Sequence, residues 1–338
     1  EKSNRATAYT GLSALDPGSG WGRPATTFYA PTVMWNAWGT SWKSYLYIQN
    51  TTAEQASLTI TYCYQDSPSS CRTEGTLSSL PPYGSARVDP GSEMGNNFWG
   101  FARVESANGK ALAVVVTQEE QAAGASDYNA FSSGAATVYL PSLMRAWYRW
   151  KSAFVVQNLG PQATSVNVYY YDENGQQNYG CRLNNLRPGA SCLVNQDGYV
   201  SGCTVGDLPP HTPTAGGELL ASCAVPENWH GTAILTSAGP LAAVVNQQRT
   251  DVLTHQSYSG LIGGGSTLYG PLAASHPAYD SCSDVQNVGG SAASITSRYF
   301  YQDGGQSAGG STRSACLLYT SDAADDLLCV DLGGRRII

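Results

Sequence analysis

Apolar and polar side chains alternate with a period of two along several short stretches of this chain. In residues 57–64, Leu58, Ile60 and Tyr62 alternate with Ser57, Thr59 and Thr61; in residues 165–171, Val166 and Val168 alternate with Ser165 and Asn167. Successive side chains on a strand point to opposite faces, so the pattern predicts strands with one face in a core and one in water. Residues 45–49, 103–106 and 111–118 are rich in the β-branched and aromatic side chains that fit a pleated surface. Between these runs stand Asn108-Gly109, Asn174-Gly175, Pro188-Gly189, Asp197-Gly198 and Asp303-Gly304. Asn-Gly and Asp-Gly tolerate the positive φ that tight hairpins need. No long stretch carries helical spacing. Six or seven short strands in about 110 residues predict an all-β chain of tandem antiparallel β-sandwiches, immunoglobulin-like in plan.

The strand text also repeats. Trp42-Lys43-Ser44 leading to Gln49-Asn50 returns as Trp150-Lys151-Ser152 leading to Gln157-Asn158, and again as Tyr279-Asp280-Ser281 leading to Gln286-Asn287. The three asparagines are 108 and 129 residues apart, a period too long for a solenoid and right for a small domain. Tyr29-Ala30-Pro31, Tyr139-Leu140-Pro141 and Tyr269-Gly270-Pro271 open each unit. Residues 112–118 correspond to residues 241–247, and Trp99-Gly100 is matched with Trp229-His230-Gly231. The boundaries expected are therefore the tail of a preceding repeat (1–28), repeat 1 (29–138), repeat 2 (139–268) and a truncated repeat 3 (269–315). Repeat 2 holds an inserted loop at about 193–228, rich in Pro and Gly and read as a loop rather than a strand pair. Residues 316–338 switch abruptly to Asp/Leu/Ala text resembling the translated read-through of a sequencing adapter, and are expected to be foreign to the fold. Gln49-Asn50 and its copies are expected to end a strand in a turn closed by the Asn side chain.

Composition narrows the function. Only 13% of residues are charged and the formal net charge is −7, which argues against electrostatic capture of nucleic acid. No apolar run approaches the roughly 18 residues of a membrane-spanning helix. Outside the last segment, Cys63 and Cys71 fall in repeat 1, Cys181, Cys192, Cys203 and Cys223 in repeat 2, and Cys282 alone in repeat 3. Even numbers per complete unit suggest disulfides and an oxidising compartment. Cys63–Cys71 and Cys181–Cys192 would clip neighbouring strands and Cys203–Cys223 would staple the insertion, although four cysteines allow three pairings.

Little of the sequence points to chemistry. His211, His230, His255 and His276 do not recur at equivalent positions. His211 between Cys203 and Cys223 offers a weak zinc constellation that competes with a disulfide. Glu119-Glu120 is replaced by Gln248-Arg249 in the second unit, so no carboxylate pair of the glycosidase kind is carried through. No catalytic residue, cofactor or metal is expected. The surface candidates are aromatic: Trp35, Trp38 and Trp42 in one unit, Trp147, Tyr148 and Trp150 in the next. Flat rings suit a carbohydrate face or another protein; packing between consecutive units is the competing role.

The set of Tyr-x-Pro, aromatic-x-Ser before (Ile/Val)-Gln-Asn, Gly-x-Ala and Leu-Ala-x-Val-Val-x-Gln resembles secreted tandem β-sandwich repeat proteins of environmental bacteria, filamentous Chloroflexi-type organisms especially. The resemblance covers residues 1 to about 315 and carries no catalytic residue. It implies an extracellular or cell-surface location. The expected function is a non-catalytic structural or adhesive array whose partners are neighbouring repeats and a surface glycan or another protein. The alternative is a carbohydrate-binding array attached to an enzyme.

Overall fold

The computed structural model describes residues 24–65, 69–120, 124–208, 220–251, 254–268, 275–276, 279–280, 283–301, 306–315 and 320–321. The chain is all-β, and its larger sheets are built from antiparallel neighbours with one short parallel pairing. A first strand set comprises β1 (Thr27–Trp35), β2 (Lys43–Asn50), β3 (Ala56–Tyr64), β4 (Cys71–Thr73), β5 (Ser79–Leu80), β6 (Ser85–Val88), β7 (Phe98–Ser106), β8 (Leu112–Glu120) and β9 (Gly124–Asn129), with one helical turn, α1 (Gly91–Met94), before β7. The order β4-β3-β7-β1 continues into β2-β8-β9 through a single pairing of Trp35 with Lys43. The sheet folds over at that corner. Phe28, Ile60, Tyr62, Ala102 and Val104 from one half then meet Leu46, Ile48, Val114 and Val116 from the other in one buried cluster.

The second set repeats this plan with β10 (Ala135–Arg145), β11 (Trp150–Asn158), β12 (Thr164–Asp172), β13 (Gln177–Leu186), β14 (Ser191–Asn195), β15 (Val200–Ser201), β16 (Thr204–Gly206), β17 (Leu220–Ala221), β18 (Trp229–Arg249) and β19 (Thr254–Ser259). Strand β18 does the work of β7 and β8 together. Its first half pairs with β10 and β12, its second half with β11 and β19. Part of the expected loop at 193–228 is strand instead: β15 pairs with β14, β16 with β13, and β17 runs parallel to β13. The exposed edges of β13 and β14 offered free backbone groups, and the insertion satisfies them. Beyond lie β20 (Ser275–His276), β21 (Tyr279–Asp280), β22 (Asp284–Val285), β23 (Ala293–Phe300), β24 (Gln306–Ala315) and β25 (Thr320–Ser321). β23 and β24 form a ribbon, and β23 has no buried position. β25, in the segment expected to be foreign, pairs with β22; the rest of 316–338 lies outside the described residues.

The recurring phrases have structural causes. Proline lacks an N–H, so Pro31 and Pro141 cannot donate to a ladder, and the register shifts between Ala30 and Val33 and between Leu140 and Leu143. Each bulge frees a carbonyl, that of Thr32 or Ser142. Tyr128 Oη donates to Thr32 O and Tyr258 Oη to Ser142 O, both at 2.6 Å. Gln118 and Gln247 donate to the same carbonyls at 3.4 and 3.0 Å. Burial pushes the Tyr128 and Tyr258 phenols well above the ordinary tyrosine range, so they remain donors. Ser44 and Ser152 accept from the N–H of Met34 and Met144, each at 2.9 Å. Gly100 and Gly231 sit where a Cβ would run into the carbonyls of Cys63 and Tyr171, at 1.9 and 2.1 Å; that close strand approach explains Gly-x-Ala.

The asparagines also serve alike. Asn50 Nδ2 donates to Glu54 O at 2.6 Å while Oδ1 accepts from Thr52 N at 3.0 Å. Asn158 bonds Gln162 O and Gly160 N, both at 2.8 Å, and Asn287 bonds Ser291 O and Gly289 N at 2.8 and 3.0 Å. Each side chain closes the turn after its strand, as the sequence suggested. Replacing Tyr258 by Phe removes one of two donors to a buried carbonyl and should lower stability by about 1–2 kcal/mol. A urea midpoint unchanged in Tyr258→Phe would show that the bulge network contributes nothing.

Candidate functional site

Two features stand out: a seam between the strand sets and a pair of aromatic hairpin tips. The seam follows from burial. Strands β2 and β8 alternate cleanly between buried and accessible positions. Their counterparts do not: Phe154 to Asn158 of β11 and Leu241 to Val245 of β18 are buried without a break. One face of each supplies the core of the second set, through Phe154, Val156, Ala243 and Val245. The opposite face packs on the first set. Val155 and Leu193 cluster with Met34, Ala37 and Trp99, with Trp42 and Ala153 at the margin. Ala242 and Val244 join the core cluster of the first set, while Cys63 and Phe101 join that of the second. Each main cluster thus belongs mostly to one set and is continued by a few residues of the other.

Met34, Trp99, Phe101 and Cys63 lie on the outer face of β1, β7 and β3, because their neighbours Val33, Phe98, Ala102 and Tyr62 point into the first core. Polar contacts rim the seam. Ser126 Oγ stands 2.8 Å from His255 Nδ1 and 2.7 Å from Ser257 Oγ, and Trp42 meets the His255 ring edge-on at 4.5 Å between centroids. Burial pushes the His255 pKa down to about 4.

The β1–β2 and β10–β11 hairpins carry the other feature. Trp38 is 54% exposed and lies at φ 55°, while Tyr148 lies at φ 44°. Side chains other than Gly rarely adopt this region, at a cost on the order of 1–3 kcal/mol each. The Trp38 N–H donates to Asn97 Oδ1 at 3.0 Å, and Asn36 donates to Asn96 at 2.7 Å. Trp38 leans on Trp99 at 5.2 Å and 47°; in the second set Trp147 stacks on His230 at 5.6 Å and 22°. His230 in turn contacts Glu173 Oε1 through Nδ1 at 3.0 Å. A shallow open depression runs along Asn36, Trp38, Thr40, Asn96 and Asn97.

The six aromatic candidates therefore separate. Trp42 belongs to the seam. Trp35 packs in its own set, edge-on to Tyr45 at 5.9 Å with the Lys43 ammonium 4.9 Å from its ring. Trp38, Trp147 and Tyr148 occupy the tips, and Trp150 starts β11 half-buried. The partner rings Trp99 and His230 are not among the site residues that the sequence suggests. Register shows why: Met34 faces Trp99 and Met144 faces His230, so Trp99 corresponds to His230 rather than to Trp229. Aligning on Gly100 and Gly231 recovers this.

The six cysteines of the two strand sets are paired, with one correction. Cys63 and Cys71 face each other across β3 and β4 with Cα atoms 4.1 Å apart. The other bonds are Cys181–Cys223 and Cys192–Cys203, with Cα–Cα distances of 5.1 and 5.5 Å, not Cys181–Cys192 and Cys203–Cys223. The reason is the strand pairing of the insertion: β17 beside β13 brings Cys223 to Cys181, and β15 beside β14 brings Cys203 to Cys192. Three disulfides point to an oxidising environment. His211 and Cys282 lie outside the described residues. Among the described residues no His/Cys/Asp/Glu group could hold a metal ion, and no helix is long and apolar enough to cross a membrane.

No family model, curated protein or solved structure matches the chain.

The seam histidine gives a testable pH dependence. An unfolded histidine titrates near 6.5, so between that value and about 4 the unfolded chain binds a proton that folded His255 refuses. Its contribution is complete above pH ~6.5 and is lost as pH falls towards ~4, on the order of 2 kcal/mol after allowing for partial exposure. Denaturation across this window should be flatter in His255→Gln, and an equal slope in both chains would refute the assignment.

Proposed function

We propose that the chain is part of a non-catalytic, extracellular structural or adhesive array, in which β-sandwich repeats stack face to face and present their hairpin tips. The observation that carries this reading is the apolar seam, where the outer face of β11 and β18 is buried against β1 and β7. A continuous apolar contact couples neighbouring domains and removes the freedom expected of beads on a linker. Disulfides within the sandwiches suit a protein exposed outside the cell. Low charge and loops presented from a rigid scaffold suit a spacer or adhesive better than a reaction centre.

The test is mechanical. The chain should melt in one cooperative step. Val155→Glu buries a charge in the seam, at a cost of about 3 kcal/mol or more unless the seam opens. It should split the melt and broaden the interdomain distances in small-angle scattering, with each sandwich still folded. A wild-type chain whose two strand sets already melt independently would rule out the stack.

A second reading, carbohydrate binding, is favoured by Trp38, whose strained backbone holds an exposed ring beside three asparagine side chains. A glycan panel probed with the parent chain and with Trp38→Ala and Trp147→Ala should then show binding lost in the variants. No binding, or binding equal in all three chains, removes this reading.

A further inference from the structure

We infer that the outer face of β2, β6 and β8 is a docking surface for another sandwich domain of the type found in this chain, presented through the face that carries Met34, Trp99 and Phe101. The inference rests on the stacked-array reading and extends it to a surface that the described residues leave uncovered.

Asn50 pairs with Leu112 and Asn158 with Leu241, so Tyr45, Tyr47 and Gln49 correspond to Ala153, Val155 and Gln157, and Ala113 and Val115 to Ala242 and Val244. Tyr47 faces Arg87 as Val155 faces Leu193. In the second set this face is covered by the preceding set: Val155 and Gln157 are 0% exposed. In the third segment the same position is again engaged. Gln286, two copies on from Gln49, donates to Thr232 Oγ1 at 3.2 Å. Thr232 occupies the place of Phe101, because Gly231 and Gly100 hold the same register. The outer face of β11 and Gln286 of the third segment thus meet the same face of the copy before them.

Among the described residues, the first set has no such neighbour on this face. Tyr47 is 45% exposed, Gln49 and Arg87 are exposed, and Ala113 and Val115 are half-buried. On β8 the side chains are nevertheless those of a covered face. Residues 112–116 are apolar on both sides, as residues 241–245 are, whereas a strand with one wet face alternates. The Arg87 guanidinium lies 4.6 Å from the Tyr45 ring, which leaves an aromatic and aliphatic patch where the next copy has Ala153, Val155 and Leu193. The contact is head-to-tail: two different faces mate, so addition of one more copy leaves the geometry unchanged.

The experiment extends the full chain by duplicating residues 25–134 in tandem, so that Gly134 of the added copy joins Ala25 as it joins Ala135 in the parent. Tyr47→Phe and Tyr83→Phe in the added copy make the remaining Tyr47 and Tyr83 unique. Hydroxyl-radical labelling is then read at Tyr47 against Tyr83, which lies in an exposed turn. Labelling of Tyr47 should fall severalfold relative to the parent while that of Tyr83 holds. Unchanged labelling, with the added copy folded and its Cys63–Cys71 bond formed, overturns the inference. A second extension, by residues 135–268, gives the same reading should the first fail to fold. Failure of the array reading would appear separately, as independent melting of the strand sets in the unextended chain.

Discussion

A β-sheet that is buried on both faces cannot keep one polar side, and this constraint shapes the second half of the molecule. Strands β11 and β18 lie between two apolar layers. Phe154 and Val156 face one layer, and Val155 with Ala153 the other. Burial of each such aliphatic side chain is favourable by about 1.5–3 kcal/mol, and it fixes how the strand sets meet. The disulfide hairpin of Cys63 and Cys71 and the ring of Trp42 are placed by the same contact.

Within each set a different device joins the two halves of the folded-over sheet. The proline bulge exposes one carbonyl to the interior, and a buried carbonyl without a partner is costly. The tyrosine from β9 or β19 and the glutamine from β8 or β18 both reach it. Three phrases far apart in sequence (Tyr-x-Pro, the glutamine closing the Leu-Ala-x-Val-Val run, and the tyrosine after it) are therefore one network. Their recurrence follows from packing and hydrogen bonding, with no appeal to chemistry.

The alternation in residues 57–64 and 165–171 made the strands legible, because period two has one structural meaning when one face is wet. Asn50, Asn158 and Asn287 were legible as turn closers because an asparagine side chain has few other uses at a strand end. The disulfide pairing was not, since it depends on where β15 and β17 add to existing edges, and strand addition leaves little trace in a Pro/Gly-rich segment. The equivalence of Trp99 and His230 was hidden for a simpler reason. Two tryptophans attract an alignment, while the glycines that fix the register look unremarkable in text. The division of the six aromatic rings needed coordinates, because spacing along a hairpin does not say which ring turns inward.

The seam joins two different faces. Val155 and Leu193 meet Met34 and Trp99, and Gln286 donates to Thr232 Oγ1. A contact between unlike faces has a direction. Turning either strand set around would withdraw Val155 from Met34 and Trp99, so the seam has a front and a back that follow the direction of the chain.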